Sequence, residues 1–346
     1  MTEPHEPHEP HEPHESDKLV AGVDLGGTRI KLAVASRRGE ILARTTLPTQ
    51  SDDGPAIVLD RIAGAIEQTL RSLGRSRCDA VGLGVPGLVD VRTGTTKFLP
   101  NLATQWRDVP AGDTLGRRLG CPVRVLNDAR AATIGELRFG HGQGRDRPTV
   151  VFLTLGTGAG GGVVIDGTLR LGPVGAAGEI GHQTILLDGP ECGCGNRGCL
   201  ETLAAAPAIA AEGGRLVSKG QAPALAALVD DDPARVTTEL MSRAADEDNA
   251  VDAVIRRAGR YVGVAMANVV TTLHPELVVI GGGVALFGDR LLRPVRETIA
   301  RRVGMFPTDD VEVLPSKLGD AAGLVGAVAL GLDTLDAIGA SDATAG

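Results

Sequence analysis

The residues with the clearest chemical potential lie in the stretch GHQTILLDGPECGCGNRGCLE, residues 181–201. It contains three of the chain's five cysteines, Cys192, Cys194 and Cys199, and His182 precedes them. Cys192 and Cys194 are separated by one residue, a spacing poorly suited to a disulfide between them. Three thiolates and one imidazole make a closed tetrahedral set, which is typical of structural zinc. The alternatives are buried free thiols and redox chemistry.

A closed zinc site predicts a structural role, because it leaves no open position for a metal-bound water. We therefore expect the metal to fix the loop that carries Glu179, His182 and Glu201. A rigid loop can present polar side chains at defined positions to the hydroxyl groups of a polyol, where unpaired buried polar groups are costly. These three residues are thus candidate substrate contacts.

The glycine turn in GVDLGGTR, residues 22–29, is a candidate phosphate site. It is not a P-loop, because Gly-Lys-Ser/Thr is absent, and not a dinucleotide fingerprint, because a strand pattern follows it. Glycines expose backbone N–H groups that attract anions, and Thr28 adds a hydroxyl donor. Asp24 at the strand end could orient water around Mg²⁺. Taken alone, such a turn is more often an ordinary hairpin than a phosphate site.

Two further glycine clusters strengthen the phosphate interpretation. LGTGAGGG at 155–162 repeats the theme with Thr157, and IGGGVA at 280–285 follows another apolar strand pattern. Three such turns in one chain indicate a nucleotide that is held from several sides.

The tripeptide LND at 126–128 ends a predicted buried strand and precedes a predicted helix. One interpretation is that Asn127 or Asp128 caps that helix, which is a frequent use of these residue types. The functional interpretation is that Asp128 lies at a cleft and accepts a proton from a substrate hydroxyl. With an ordinary pKa of about 3.9, this side chain would be an ionised and weak base at neutral pH.

The elements that must position these groups form an alternating pattern of strands and helices, which predicts an α/β protein. Each half opens with a buried strand, a turn of Gly and Thr, and a returning strand, so two related lobes with a cleft between them are expected. Residues 55–73 have helical spacing, with Ile57, Ile62, Ile66 and Leu70 near one face. Apolar surroundings place Cys78 and Cys121 in the core.

Composition excludes several classes of protein. The 346 residues carry a net charge of −8, which disfavours a general nucleic-acid binder. No apolar run reaches the roughly 18 residues of a membrane span, and the N-terminus lacks the regions of a signal peptide. A cytoplasmic protein with reduced thiols is expected.

Residues 1–18 form a tail that repeats Glu-Pro-His four times between residues 3 and 14. Proline at every third residue blocks a helix, so the tail is predicted to be disordered. Weak metal binding by its histidines is the alternative. These histidines are His5, His8, His11 and His14.

Taken together, five motifs resemble the ROK family of sugar kinases from about residue 19 to about residue 335. They are DLGGT, LND, LGTGAGGG, GEIGH and CGCGNRGCLE, in this order. The combination of the Glu-x-Gly-His element with the cysteine cluster is highly specific. Within the family, the chain is most similar to the bacterial glucokinases that use ATP.

The resemblance implies an actin-like, hexokinase-type (ribonuclease H-like) fold with two lobes and an interdomain cleft. It divides the chain into the tail, a small lobe of residues 19–128 and a large lobe of residues 129–316. A helix at about 317–335 would return to the small lobe. The zinc-binding loop and the nucleotide site would belong to the large lobe.

The same resemblance assigns roles to individual residues. It implies that Asp128 is the catalytic base and that His182, Cys192, Cys194 and Cys199 bind the zinc. The implied sugar contacts are Gly87, Asn101, Asn127, Asp128, Glu179, His182 and Glu201. The nucleotide and its magnesium would contact Asp24, Gly26, Gly27, Thr28, Lys31, Gly156, Thr157, Gly158, Gly281, Gly282 and Gly283.

The implied activity is ATP-dependent phosphorylation of a hexose at the 6-hydroxyl, most simply of glucose. The alternatives are a kinase for N-acetylmannosamine, N-acetylglucosamine, fructose or allose, and a non-catalytic sugar-responsive regulator. Regulators of this family carry a helix-turn-helix domain, for which the tail is too short, and its polyphosphate-using members generally lack the cysteine cluster. A homo-oligomer, dimer or tetramer, is implied.

Departures from the family pattern are small. Arg130 stands where the family often has Asn, and Ala159 stands where a larger aliphatic residue is common. We expect neither to touch the chemistry.

Overall fold

The computed structural model describes residues 18–344. The predicted disorder of the tail and metal binding by its histidines lie outside these residues. The strands of the first half are β1 (Leu19–Leu25), β2 (Arg29–Ser36), β3 (Ile41–Pro48), β4 (Ala80–Val85), the short pair β5 (Leu88–Asp90) and β6 (Thr95–Phe98), and β7 (Val123–Asn127). The strands of the second half are β8 (Val150–Leu155), β9 (Ala159–Ile165), β10 (Thr168–Leu169), β11 (Leu277–Gly281) and β12 (Glu312–Pro315).

The helices connect and cover these strands. In chain order they are α1 (Pro55–Ser72), α2 (Ala111–Leu119), α3 (Asp128–Phe139), α4 (Glu201–Ala204), α5 (Ala206–Ser218), α6 (Pro223–Leu228), α7 (Thr238–Ala244), α8 (Asn249–Leu273), α9 (Asp289–Arg302) and α10 (Ala322–Thr344). The predicted α/β class is confirmed, as is each strand-turn-strand opening.

Two five-stranded sheets share one topology. Their strand orders are β3-β2-β1-β4-β7 and β10-β9-β8-β11-β12. In each sheet the first strand in the chain pairs antiparallel with the next, and parallel with a strand that arrives later. The similarity that the sequence predicts between the two halves therefore extends to their hydrogen-bonded pairing.

The first sheet is buried on both faces, because its strands alternate between two hydrophobic clusters. Ala21 and Val23 pack in a cluster with Ile62 and Ile66 of α1. Val20 packs on the opposite face in a cluster with Val328 of α10. The sheet is thus held between α1 on one side and α10 on the other.

The prediction that Ile57 shares the buried face of α1 with Ile62 is wrong. The structure leaves Ile57 55% exposed, whereas Val58 and Leu59 are buried with Ile62. Five positions separate residues 57 and 62, which corresponds to about 140° around a helix axis, so the two side chains diverge.

The helices α3 and α10 link the two sheets. α10 packs against β1 and β4, and α3 packs against α10 and also against β8 and β9. The first residue of α3 is Asp128. This arrangement places the candidate base where the two sheets approach each other. The division into lobes of residues 19–128 and 129–316 remains a proposal.

One stretch of the described chain, Gly319–Ile338, is long and apolar enough to cross a membrane by length and composition. The sequence shows no uninterrupted apolar run there, because Asp320, Asp333 and Asp336 divide it. Within the fold, 61% of this stretch is buried. Its contacts with β1, β4 and α3 account for that burial, as expected of a core helix.

Candidate active site

A cleft with a cavity volume of about 500 Å³ lies between the glycine turns of the two sheets. Its walls come from the β1–β2 turn, the segment after β4, the start of α3, the β8–β9 turn and the loop before the cysteine cluster. All the predicted sugar contacts line it: Gly87, Asn101, Asn127, Asp128, Glu179, His182 and Glu201. The fold therefore brings together residues that are more than one hundred positions apart in the chain.

Asn127 caps α3, as the simpler interpretation of LND proposes. Its Oδ1 accepts hydrogen bonds from the backbone N–H groups of Ala129 (3.0 Å) and Arg130 (3.3 Å). Its Nδ2 donates to the carbonyl of Gly87 at 3.1 Å. The capping interpretation thus accounts for Asn127 and leaves Asp128 for another role.

Gly87 occupies a position that excludes a side chain. Its φ is +112°, and a Cβ added there would lie 2.3 Å from the carbonyl oxygen of Phe98. The carbonyl that holds Asn127 is therefore provided by a backbone conformation that only glycine adopts readily.

Asp128 is half-buried, and burial raises its pKa to about 6. The Asp24 carboxylate raises this pKa further, whereas the N–H of Ala129, 2.8 Å from Oδ1, and the Arg130 guanidinium lower it. The expectation of an ordinary acidity from the sequence is therefore corrected. A carboxylate with this pKa is a stronger base and is still mostly ionised at pH 7.

Asp128 also lines a second cavity of about 180 Å³. This smaller cavity is formed with Asp24, Gly282, Asp320 and other residues around the start of α10. Burial raises the pKa of Asp24, and the ammonium group of Lys31 opposes the shift. Lys31 is the cross-strand partner of Asp24 and donates from Nζ to the backbone carbonyl of Asp320 at 3.2 Å.

The predicted phosphate contacts divide between several places. Gly26, Gly27, Gly156, Thr157 and Gly158 line the larger cleft, and Gly282 lines the smaller cavity.

Four of the predicted nucleotide contacts line neither cavity: Thr28, Lys31, Gly281 and Gly283. Thr28 is exposed and borders a separate hollow with Arg29 and Pro48, and Gly281 and Gly283 flank Gly282 outside both cavities.

The cysteine cluster has the geometry of a metal site. One ligand atom from each of His182, Cys192, Cys194 and Cys199 lies within 4.8 Å of the others. The Cys194 and Cys199 sulfurs are 3.8 Å apart, and the Cys192 sulfur is 3.5 Å from His182 Nδ1. Tetrahedral zinc with bonds of about 2.3 Å to sulfur and 2.0 Å to nitrogen requires separations of about 3.8 Å and 3.5 Å. The residues present therefore fit a zinc ion.

The loop around the cluster presents its polar groups to the cleft. His182 directs Nδ1 toward the thiols, and its Nε2 lies 3.9 Å from Oε2 of Glu179. Glu201 accepts a hydrogen bond at Oε2 from the backbone N–H of Ala159 at 2.9 Å. His182 can thus bind the metal through Nδ1 while its Nε2 faces the cleft.

Sequence reasoning did not place Arg130 at the site, and its side chain lies behind the cleft wall, in contact with residues that line the cleft. Its guanidinium contacts the side chains of Asn127 (2.8 Å) and Glu179 (2.8 Å), two of the predicted sugar contacts. The sequence does carry one signal, because Arg130 is a charged residue among the alanines that begin α3, in DARAA. The cleft residues Phe98 and Thr154 carried no comparable signal.

Comparison with known proteins finds relatives over most of the chain. The ROK family model matches residues 20–334. A glucokinase of Halalkalibacterium halodurans is 37% identical over 314 residues, which cover 90% of this chain and 94% of that protein.

Two solved structures are similar over most of the chain. A ROK family glucokinase from Streptomyces griseus, in complex with glucose and AMPPNP, has a TM-score of 0.77 and 35% identity over 91% of this chain and 99% of its own. A ROK family transcriptional regulator has a TM-score of 0.81 and 29% identity over 92% of this chain and 78% of its own. The predicted actin-like sugar kinase fold is thereby confirmed, and the chain belongs to the ROK family.

Proposed function

We propose that this protein transfers the γ-phosphoryl group of ATP to the 6-hydroxyl of a hexose, and that glucose is the preferred acceptor. The glucokinase relatives support this proposal, since they match the chain over about nine tenths of its length. The observation that carries it is the position of Asp128, which lines both the larger cleft and the smaller cavity. A group at that boundary can face an acceptor hydroxyl on one side and a phosphate on the other.

Asp128 would align the hydroxyl and receive its proton. Phosphoryl transfer has a loose transition state in most analyses, so it depends on alignment and charge neutralisation more than on a strong base. With a pKa of about 6, Asp128 is ionised at neutral pH and ready to accept the proton.

The phosphates would lie against the glycine turns that line the cleft, where backbone N–H groups would bind them. Asp24 offers carboxylate oxygen atoms in the smaller cavity, which suits Mg²⁺. When bound, Mg²⁺ would neutralise phosphate charge. Lys31, which lies opposite Asp24, adds a fixed positive charge at the same end.

The sugar hydroxyls would be received by Glu179, His182, Glu201 and Asn101. Glu179 pairs with Arg130 through Oε1, so its Oε2 can accept a hydrogen bond from the sugar. Asn127 donates one N–H of its amide to Gly87, so the second N–H can donate to the sugar. Zinc bound by the cysteine cluster would hold this loop rigid.

Replacing Cys194 by Ser tests the structural role of zinc. We expect lower zinc content and a weaker apparent affinity for glucose, because the loop that carries His182 would lose one of four anchors. Metal analysis and steady-state kinetics measure both effects. Cys121→Ser is the matched control, since Cys121 lies beside Cys78 outside the cluster. Full activity in a zinc-free preparation would contradict the role.

The hexose preference is tested by ADP release, measured with an excess of coupling enzymes against glucose, fructose, N-acetylglucosamine, N-acetylmannosamine and allose. Glucose is expected to give the highest kcat/KM, and ATP without sugar is expected to be consumed slowly. A faster rate with another hexose would reassign the substrate. Equal ATP consumption with and without every hexose would overturn the kinase proposal.

A sugar-responsive regulator remains the alternative function, because regulators of this family share the fold. Asp128 favours the enzyme, since sugar sensing requires no basic carboxylate between two cavities. We further propose a cytoplasmic homo-oligomer, dimer or tetramer, that binds neither nucleic acid nor membranes. Sedimentation of the purified protein tests the assembly.

A further inference from the structure

The side chain of Arg130 is almost completely buried, with 1% exposure, and every polar group of its guanidinium faces a partner. Nη1 donates to Oδ1 of Asn127 at 2.8 Å, and Nη2 donates to Oε1 of Glu179 at 2.8 Å. Nε and Nη2 also donate to the backbone carbonyl of Ala177, at 3.2 and 3.1 Å. Arg130 therefore joins the start of α3 to the segment that carries Glu179.

The guanidinium itself does not line the cleft, whereas two of its partners do. Glu179 is held at Oε1 by Arg130, while its Oε2 lies 3.9 Å from His182 Nε2. The Glu179 side chain is 43% exposed, so without Arg130 it would be free to sample other rotamers. The buried Arg130 guanidinium thus restricts the rotamers of Glu179, whose carboxylate faces the cleft.

Charge makes this arrangement specific for arginine. The Arg130 side chain is so deeply buried that its positive charge requires a paired anion. The Glu179 carboxylate is that anion. A guanidinium reaches three acceptors through a rigid planar fork, whereas a lysine ammonium is a single point of charge on a flexible chain. Arg130→Lys would therefore keep the positive charge but could not make the same set of hydrogen bonds to Asn127, Ala177 and Glu179.

We propose that Arg130 is a positioning residue that sets the affinity for the sugar by holding Glu179 and Asn127 in their receiving geometry. The inference rests on the proposed hexose kinase function and deepens it. Arg130 acts on binding through Glu179 and Asn127, and its hydrogen bonds go to Asn127, Ala177 and Glu179, none of which is a predicted nucleotide contact.

The test compares Arg130→Lys and Arg130→Gln with the unchanged enzyme. Both variants should raise the glucose KM by roughly 10- to 100-fold, the range for a lost hydrogen bond to a charged group. The KM for ATP should stay constant and kcat should change by no more than a few fold, because uniform sugar binding is lost. Calorimetric titration with glucose alone should show the same loss of affinity without any turnover.

Arg138→Gln is the control on the same helix. Arg138 pairs with Asp333 (2.5 Å) and Asp336 (3.3 Å) of α10, away from the cleft. Its loss should lower the melting temperature slightly and leave the glucose KM unchanged.

A double variant tests whether Arg130 and Glu179 act together. In the Glu179→Gln background, Arg130→Gln should weaken glucose binding much less than it does in the unchanged enzyme, because the two residues act together.

A glucose affinity that stays within twofold in both Arg130 variants would overturn the positioning role, with the kinase proposal intact. Equal loss of glucose and ATP affinity, or additive effects with Glu179→Gln, would show a merely structural role and also overturn it. If the unchanged enzyme phosphorylates no hexose, the proposed function itself fails. Arg130→Lys keeps the comparison available if Arg130→Gln does not fold.

Discussion

Replacing Asp128 by Asn is expected to lower kcat for glucose phosphorylation by roughly 10²–10⁴-fold. Asn has nearly the same shape and can still line both cavities, but it cannot accept the hydroxyl proton. Glucose affinity should change little, since Asn can still hydrogen-bond the hydroxyl, and zinc content should be retained, since the cysteine cluster is untouched. Steady-state kinetics, calorimetric glucose binding and metal analysis measure these three quantities.

The same substitution is expected to stabilise the protein. The folded pKa of Asp128 is about 6 and its ordinary value is 3.8, so ionising it destabilises the folded state as pH rises between these values. Asp128→Asn removes this penalty. Its melting temperature should therefore exceed that of the unchanged protein at pH 8, and the difference should shrink toward pH 4. An inactive variant that melts lower at pH 8 would indicate misfolding instead.

The unchanged enzyme should show the corresponding pH dependence. Activity at saturating substrates should fall as pH decreases through about 6, because protonated Asp128 cannot accept the proton. The charged groups that face it, Asp24 and Arg130, act on its pKa in opposite directions. A constant kcat from pH 8 to pH 5, or normal turnover by Asp128→Asn, would contradict the assignment of the base.

Replacing Gly326 by Ala is expected to destabilise the protein by roughly 3 kcal/mol, at the upper end for an overpacked core position. Gly326 lies in α10 where this helix crosses α3, and a Cβ there would lie 2.0 Å from the carbonyl oxygen of Ala131. Because the obstacle is backbone, no side chain can rotate away. Calorimetry should show a melting temperature about 5 °C lower or more.

Gly64→Ala is the matched control for Gly326→Ala. Gly64 lies inside α1, and a Cβ added there would meet no atom within 4 Å. Alanine should stabilise α1 at this position by roughly 0.5–1 kcal/mol, because glycine loses more conformational entropy on folding. If both variants changed the melting temperature alike, close packing of α3 on α10 would not explain the effect at Gly326.

Periodicity and glycine positions were sufficient to predict the buried strands. β1, β8 and β11 are short apolar runs that end at glycine turns, so their local sequence carries the information. The helices α2 and α9 and the β5–β6 pair were not predicted. α9 contains six arginine or glutamate side chains and Pro294, which obscure its apolar face. Its position depends on packing against α8.

The sequence alone determined the cysteine cluster, because its four candidate ligands lie within residues 182–199 and their spacing limits the local chain path. It also determined where the glycine turns lie, because each follows a short apolar strand. Only the tertiary structure decided how basic Asp128 is, since burial and the carboxylate of Asp24 in β1 raise its pKa. It likewise decided the role of Arg130, whose partner Glu179 is 49 residues away. Burial and electrostatics depend on distances through space, and sequence spacing does not record them.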